Sequence, residues 1–269
     1  MTTVGPLTAD RVLQDLGTKR LGSRIDVYPE LESTNRTAHA LAEAGAPEGA
    51  IVIAESQTRG QGRLGRTWVS PPNLNLYISF VLRPRLDPAD SAKITLLAAV
   101  AVADTLKDHV PGTPRIKWPN DILLGGLKVA GILSELACEP ARTVYVIVGI
   151  GINLNFPRAL MSPDIRERAT SVMEETGASV DRIAIARSLV RNMESRYIEF
   201  EERGFEPIAR IWNVYARMQG CWVRARTADD ELVGRVRELD GNGFLVLECG
   251  GGRTERVVSG DVFLMEGAP

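Results

Sequence analysis

Apolar and polar positions change rhythm along the chain, and each change predicts an element. Thr8 can cap a short helix reaching Leu16, after which Ile25 to Tyr28 reads as a strand leading into Glu32-Ser33-Thr34-Asn35. A helix from about Arg36 to Ala44 stops at Gly45, with Pro47 close behind as punctuation. The unbroken apolar run Ile51 to Ala54 predicts a buried strand, and Leu76 to Leu82 another. From Asp90 to Lys107 the pattern is helical and apolar nearly all round between Ile94 and Val102, as the buried spine of a domain must be.

Ile116 to Trp118, Ile122 to Leu124, Val129 to Leu136 and Val144 to Leu154 read as strands of one sheet, with Gly125-Gly126 as a hairpin turn. Asp181 then caps a long amphipathic helix that carries Ile183, Ala186, Val190, Met193, Tyr197 and Phe200 on one face. After Arg203-Gly204 a shorter helix runs to about Met218. Beyond Gln219 the rhythm becomes that of short alternating strands, Trp222 to Thr227, Leu232 to Leu239, Phe244 to Glu248 and Arg253 to Val258, separated by turns such as Asp240-Gly241-Asn242-Gly243. That shift predicts two domains, 1–218 and 219–269, the second a small antiparallel barrel.

Composition narrows the function classes. A chain of 269 residues accommodates one large core and a small one, because single cores stop growing near about 250 residues. With 44% hydrophobic and 25% charged residues it is an ordinary folded protein, neither disordered nor fibrous. No apolar run approaches the roughly 18 residues that span a bilayer, and Met1 to Asp10 lacks the regions of a signal peptide, so the expected location is cytoplasmic. The 32 basic and 34 acidic residues are mixed along the chain, giving no electrostatic footprint for nucleic acid; any bound anion must be met by local cations. Cys138, Cys221 and Cys249 lie far apart without the spacing of zinc sites or disulfide frameworks, and read as packing residues.

Candidate chemistry begins in the segment Gln57 to Pro72, rich in Gly, Arg and Pro and without periodicity, hence a long loop of the functional kind. Gly60-Gln61-Gly62-Arg63-Leu64-Gly65 formally matches a dinucleotide-binding fingerprint. The match does not hold, because Trp68 to Pro72 ends in Pro-Pro and offers no helix N-terminus to a pyrophosphate, and no acidic residue stands about 20 residues on. Glycine flexibility with Arg59, Arg63 and Arg66 suits a loop closing over phosphate or carboxylate; a solvated basic loop has the same composition. Lys117-Trp118-Pro119-Asn120-Asp121 gathers a lysine, an amide and a carboxylate at a turn. Lys128 sits in a strand between Leu127 and Val129, where a lysine by itself reads as outward-facing. Ser33 and Thr34, taken alone, read as helix caps. Gly149-Ile150-Gly151-Ile152-Asn153-Leu154-Asn155 ends an apolar strand in glycines and amides, where a flat ligand can approach the backbone.

In order, Glu-Ser-Thr-Asn, Gln57 to Trp68, Lys-Trp-Pro-Asn-Asp, Gly-Leu-Lys-Val-Ala-Gly-Ile-Leu and Val-Gly-Ile-Gly-Ile-Asn resemble the catalytic domain of biotin protein ligases. The resemblance runs from about Leu7 to Met265. It implies an α+β fold, a mixed sheet flanked by helices of the class II synthetase type, ending in a small SH3-like β-barrel. It implies ATP, Mg2+ and biotin as reactants, biotinyl-5′-AMP as intermediate, and a lysine of the biotin carboxyl carrier protein of acetyl-CoA carboxylase as acceptor.

Position by position, the resemblance implies that Ser33, Thr34, Asn35 and Gln57 hold the ureido ring of biotin. Gly60, Gly62 and Arg63 match the flexible ligand loop, in which Gln61 also lines the biotin side, and Lys128 the lysine that contacts the reacting carboxylate and α-phosphate. Arg63, Arg66, Trp68, Lys117, Asn120 and Asn153 resemble residues around the nucleotide, and Asp121 lies near the reacting groups. Many family members carry Arg or Lys where Gln61 stands, which implies one fewer charge at the phosphate. Metal ligands stay unassigned. The resemblance is also compatible with a homodimer.

The residue inventory suits that chemistry independently. A carboxylate is already ionised at neutral pH, so attack on an α-phosphate needs no histidine base, and the chain has only His39 and His109. The need is for cations that screen the approach of two anions. Rival readings are a lipoate or octanoate ligase, which shares the fold and adenylation logic, a biotin-sensing repressor, and a module that binds the adenylate without transferring it. The roughly 20 residues before the catalytic pattern are too few for a three-helix reader of DNA, so no DNA partner is expected.

Overall fold

In the computed structural model, which describes residues 5–139, 142–227 and 230–265, Thr8 caps α1 (Ala9–Leu13) by accepting the Arg11 N–H at 3.3 Å. There follow β1 (Arg24–Tyr28), α2 (Thr34–Glu43), β2 (Ala50–Ala54), β3 (Leu76–Leu82) and α3 (Ala92–Lys107). Next come β4 (Arg115–Lys117), β5 (Asp121–Leu124), β6 (Leu127–Glu139) and β7 (Arg142–Ile152), then the short helices α4 (Pro163–Arg166) and α5 (Val172–Thr176). The long α6 (Arg182–Arg203) and α7 (Glu206–Ala216) precede β8 (Trp222–Arg226), β9 (Glu231–Leu239), β10 (Leu245–Cys249), β11 (Thr254–Val257) and β12 (Asp261–Leu264).

The first seven strands form one mixed sheet in the order β1-β2-β3-β7-β6-β5-β4, parallel between β1 and β2 and antiparallel elsewhere. Every residue of β2 and β3 is buried, because helices cover both faces of the sheet; that is why these strands read as continuous apolar runs. On one face Ala38 and Ala42 of α2 pack against Val52, Val81 and Ile147. On the other lies α3, buried along most of its length as its apolar pattern demands, with α6 and α7 packed over it. Asp181 starts α6 by accepting from the Ile183 N–H at 2.8 Å, and the stripe Ile183, Ala186, Val190, Met193 and Tyr197 is buried. Ile183, Val190 and Met193 each contribute about 1.5–3 kcal/mol by that burial. Gly125 and Gly126, at φ +56° and +87°, make the hairpin turn that side chains would resist.

The last five strands form a separate antiparallel sheet, β11-β10-β9-β8-β12, the SH3-like C-terminal unit. Its fifth strand, β12, and the helices α4 and α5 lie outside the elements that the hydrophobic rhythm predicts. The Trp118 indole N–H donates to the Gly243 carbonyl at 3.2 Å, tying this sheet to the larger one. The cysteine reading needs correction: Cys249 is buried, but Cys138, next to the last residue of β6, is exposed. No described helix is long and apolar enough to cross a membrane.

Candidate functional site

The loop after β2 folds back on itself. Gln61 and Thr67 form an antiparallel bridge, the Gly62 N–H donates to the Arg66 carbonyl at 2.7 Å, and the Trp68 N–H to the Gly60 carbonyl at 2.9 Å. Its only helical piece is a 3-10 turn at Arg63–Gly65. No helix N-terminus faces a phosphate there, in keeping with the argument against a dinucleotide fingerprint.

This loop is one wall of a cleft of about 1060 Å³. The other walls are the start of α2, strands β5 to β7, the segment 164–169, and β12 of the C-terminal sheet. Ser33, Thr34, Asn35, Gln57, Gln61, Gly62, Arg63, Arg66, Trp68, Lys117, Asn120, Asp121, Lys128 and Asn153 all line it. Gly60 stands behind the wall, where a Cβ would meet the Trp68 carbonyl oxygen at 2.4 Å.

One end of the cleft is neutral and hydrogen-bonded. Ser33 occupies the N-cap position of α2, but its side chain makes no capping bond; the cap reading is thus corrected, and the hydroxyl is left for the cleft. Gln57 Oε1 instead accepts the Thr34 N–H at 2.9 Å and the Thr34 hydroxyl at 3.2 Å. The Gln57 amide donates to Ser70 Oγ at 2.9 Å, leaving its second N–H available. Asn35 is 4% exposed. Its Oδ1 accepts from Ser79 Oγ at 2.7 Å, and its Nδ2 donates to the Leu133 carbonyl at 3.2 Å and Glu135 Oε2 at 2.5 Å.

The middle is cationic. Lys128 does not face outward: it turns into the cleft, its Nζ 2.5 Å from Asp121 Oδ1 and 5.3 Å from the centre of the Trp68 ring. Arg63 donates to Asn120 Oδ1 at 3.2 Å and to the Gly260 carbonyl at 3.3 Å. Burial draws the Arg63 pKa below its ordinary value, against the opposing pull of Asp261 and Asp121; a guanidinium stays charged at neutral pH regardless. Asn120 is itself held, donating to the Ile132 carbonyl at 2.8 Å. Arg66 pairs with Asp261, whose carboxyl lies below its usual range chiefly because of that hydrogen bond. Lys117 Nζ stands 5.0 Å from the centre of the Phe263 ring.

Gly131 and Gly151 face each other in the register of β6 and β7. A Cβ on Gly131 would come within 3.0 Å of the Trp68 ring, and one on Gly151 within 2.5 Å of its Nε1 and Cε2. The flat group that approaches these glycines is therefore the protein's own indole. At the third glycine, 149, it is the Asn35 carboxamide, 2.0 Å from where a Cβ would be.

At the far end the segment 165–170 clips onto β6 on either side of Lys128, whose N–H donates to the Arg168 carbonyl and whose carbonyl accepts from Thr170, both at 2.9 Å. Asn153 donates to the Thr170 carbonyl at 3.0 Å, while Asn155 serves structure, bonding both the N–H and the carbonyl of Val180. Phe156, Ile165 and Ala169 give this end an apolar lining. Sequence reasoning missed the segment, although Ser171 with Glu174 three residues on is a local start signal; Ser171 Oγ does cap α5. It also missed Asp261 and Phe263 in the cleft wall. Among the described residues no group of three or more His, Cys, Asp or Glu is arranged to hold a metal ion.

Residues 27–153 match the biotin/lipoate A/B protein ligase family, and residues 222–265 the biotin protein ligase C-terminal domain. The chain is 36% identical over 260 residues to the bifunctional ligase/repressor BirA of Bacillus subtilis, covering 97% of this chain and 80% of that protein. It is 33% identical over 265 residues to the biotin–[acetyl-CoA-carboxylase] ligase of Mycobacterium tuberculosis, covering 96% of each. Among solved structures, the biotin protein ligase of Aquifex aeolicus in complex with biotin and ATP superposes with a TM-score of 0.77 at 27% identity, covering 91% of this chain and all of that one. Family models, relatives and architecture agree across both the mixed sheet and the C-terminal unit, and the chain belongs to the biotin protein ligase family.

Proposed function

We propose that this chain activates biotin with magnesium-ATP to biotinyl-5′-AMP and transfers the biotinyl group to a lysine of the biotin carboxyl carrier protein of acetyl-CoA carboxylase, acting in the cytoplasm. The reading is carried by one observation: a single cleft joins a neutral, hydrogen-bonded end to a cationic middle. A cyclic urea offers two N–H donors beside one carbonyl acceptor. The neutral end offers Asn35 Oδ1 and the hydroxyls of Ser33 and Thr34 as acceptors, and the free Gln57 N–H as donor. A lipoyl ring would leave these groups unpaired, and sites built to hydrogen-bond reject analogues that cannot.

In the first half-reaction a carboxylate oxygen of biotin attacks the α-phosphorus of ATP in line, and pyrophosphate leaves. Lys128 and Arg63 screen the two anions and stabilise the charge that accumulates in the transition state. Magnesium comes with the nucleotide. Gly60, Gln61 and Gly62 let the loop approach the ligand, while Arg66, Trp68, Lys117, Asn120 and Asn153 bound the nucleotide. In the second half-reaction the carrier amine attacks the carbonyl carbon of the mixed anhydride and AMP departs with its electron pair. That amine must first lose a proton, and Asp121 stands where it can orient or accept it.

The test is the mass of a purified carrier domain after incubation with this protein, magnesium-ATP and either biotin or lipoate. A biotin-dependent gain is expected. A gain with lipoate alone would assign the other branch of the family, and pyrophosphate release without a gain an adenylating enzyme with another acceptor.

A further inference from the structure

From the row of residues behind Asn35 we infer that Ser79 and Glu135 are positioning residues for biotin recognition, fixing which face of the Asn35 amide the cleft receives. The inference rests on the biotin reading above. Ser79 in β3, Gly149 in β7 and Leu133 in β6 stand in register across three adjacent strands. The Asn35 carboxamide lies on this row. It fits only because Gly149 has no side chain, since a Cβ there would be 2.0 Å from Asn35 Oδ1.

Each neighbour dictates one end of the amide. Ser79 Oγ, fully buried, lies 2.7 Å from Asn35 Oδ1 and 2.8 Å from Thr34 Oγ1; because an amide oxygen can only accept while the threonine hydroxyl can also donate, the single Ser79 proton goes to Oδ1. The Leu133 carbonyl and the Glu135 carboxylate can only accept, and both take protons from Nδ2. Turning the amide over would set Oδ1 against two acceptors, one of them an anion. Both amide protons are thereby consumed inside the wall, and the group facing the ligand is the remaining lone pair of Oδ1. Asn35 then offers an acceptor and nothing else, the partner that a ureido N–H requires. The same Glu135 oxygen also faces a histidine. His39, one turn along α2 from Asn35, has Nε2 3.9 Å from Glu135 Oε2 and Nδ1 3.3 Å from the Tyr145 hydroxyl.

Neither residue touches the cleft in this arrangement, so their effect is separable from catalysis. The experiment is steady-state kinetics of biotin-dependent pyrophosphate release by the full chain carrying Ser79→Ala, Glu135→Leu or Glu135→Gln. The first two should raise KM for biotin about ten-fold, the size of one lost hydrogen bond to a charged or buried partner, with kcat and KM for ATP little changed. Glu135→Gln still presents an acceptor to Nδ2 and should stay close to wild type. Equal losses in Glu135→Gln and Glu135→Leu, an unchanged biotin KM, or a joint fall of kcat and both affinities would overturn the inference. A wild-type chain that charges a carrier with lipoate and never with biotin would instead sink the function on which it rests.

Discussion

Lys128 Nζ lies 2.5 Å from Asp121 Oδ1, an ion pair that joins neighbouring strands β6 and β5 inside the cleft. The pair decides how Asp121 is read. A carboxylate in contact with the proposed catalytic cation orients that cation before it accepts any proton. Lys128→Ala should slow adenylation by about a hundred- to a thousand-fold, the usual cost of removing a preorganised charge from a transition state, with little change in thermal stability. Asp121→Asn should slow both half-reactions, because both use the geometry around Lys128. Rapid-quench measurement of pyrophosphate release and of carrier charging separates the steps; a defect confined to carrier charging would make Asp121 a base instead.

Gln61 is exposed on the loop and lines the cleft. Replacing it with arginine adds a cation next to Arg63 and should slow release of the adenylate by about two- to five-fold, since an exposed ion pair is worth little more. Trapping released adenylate during a chase gives the rate, and an unchanged rate would dispose of the idea that this position tunes retention.

The Arg66–Asp261 pair ties the ligand loop to the C-terminal sheet, and Arg63 adds a bond to the neighbouring Gly260 carbonyl. Asp261→Asn should loosen the loop, seen as faster amide hydrogen exchange across residues 60–68. The pH dependence has a definite sign. Because the folded-state pKa of Asp261 is depressed, the tether is fully present above the ordinary carboxylate value of about 3.9 and is lost as pH falls through the lower folded value. Exchange in wild type, corrected for intrinsic chemistry, should therefore be flat from pH 5 to pH 8. A step near neutrality would point to another group.

A methyl group at position 151 cannot coexist with the present indole, which would lie 2.5 Å away. Gly151→Ala should displace Trp68, raising KM for both biotin and ATP by more than about ten-fold while the sheet stays folded. Tryptophan fluorescence reports the displacement; unchanged emission and unchanged KM would show that the cleft accommodates the methyl group.

Arg182, 1% exposed, pairs with Glu55 at 2.5 Å, and Glu55 also accepts the Leu7 N–H at 2.8 Å. Arg182→Leu strands a buried carboxylate and should cost about 3–5 kcal/mol, whereas Arg182→Leu with Glu55→Leu should cost far less. Urea denaturation of the two variants measures this, and equal losses would mean that the pair stabilises outright.

Much of the fold was legible because its signals are local. Apolar runs marked β2 and β3, one sustained apolar helix marked α3, and Thr8 and Asp181 announced α1 and α6, since an element's period and its cap depend only on nearby residues. The short strand β12 and the segment holding α4 and α5 escaped, having too few residues to establish a period.

What the sequence by itself determined was the inventory: an α+β chain with a β-rich end, a glycine-arginine loop, and the ordered motifs that carry the family resemblance. Tertiary structure alone decided what each residue does with its neighbours. Alternation in β6 could not say which face Lys128 takes, because strand period fixes that sides alternate but not which side is the cleft. Gln57, 24 positions from Ser33 along the chain, takes the Thr34 N–H, and Asn35 is aimed by Ser79 and Glu135 from two strands of the sheet. Asp261 reaches Arg66 from a different sheet altogether. Hydrogen bonds and ion pairs between distant segments exist only once the sheet has set its strand order, and it is that order which turns a list of polar residues into a site.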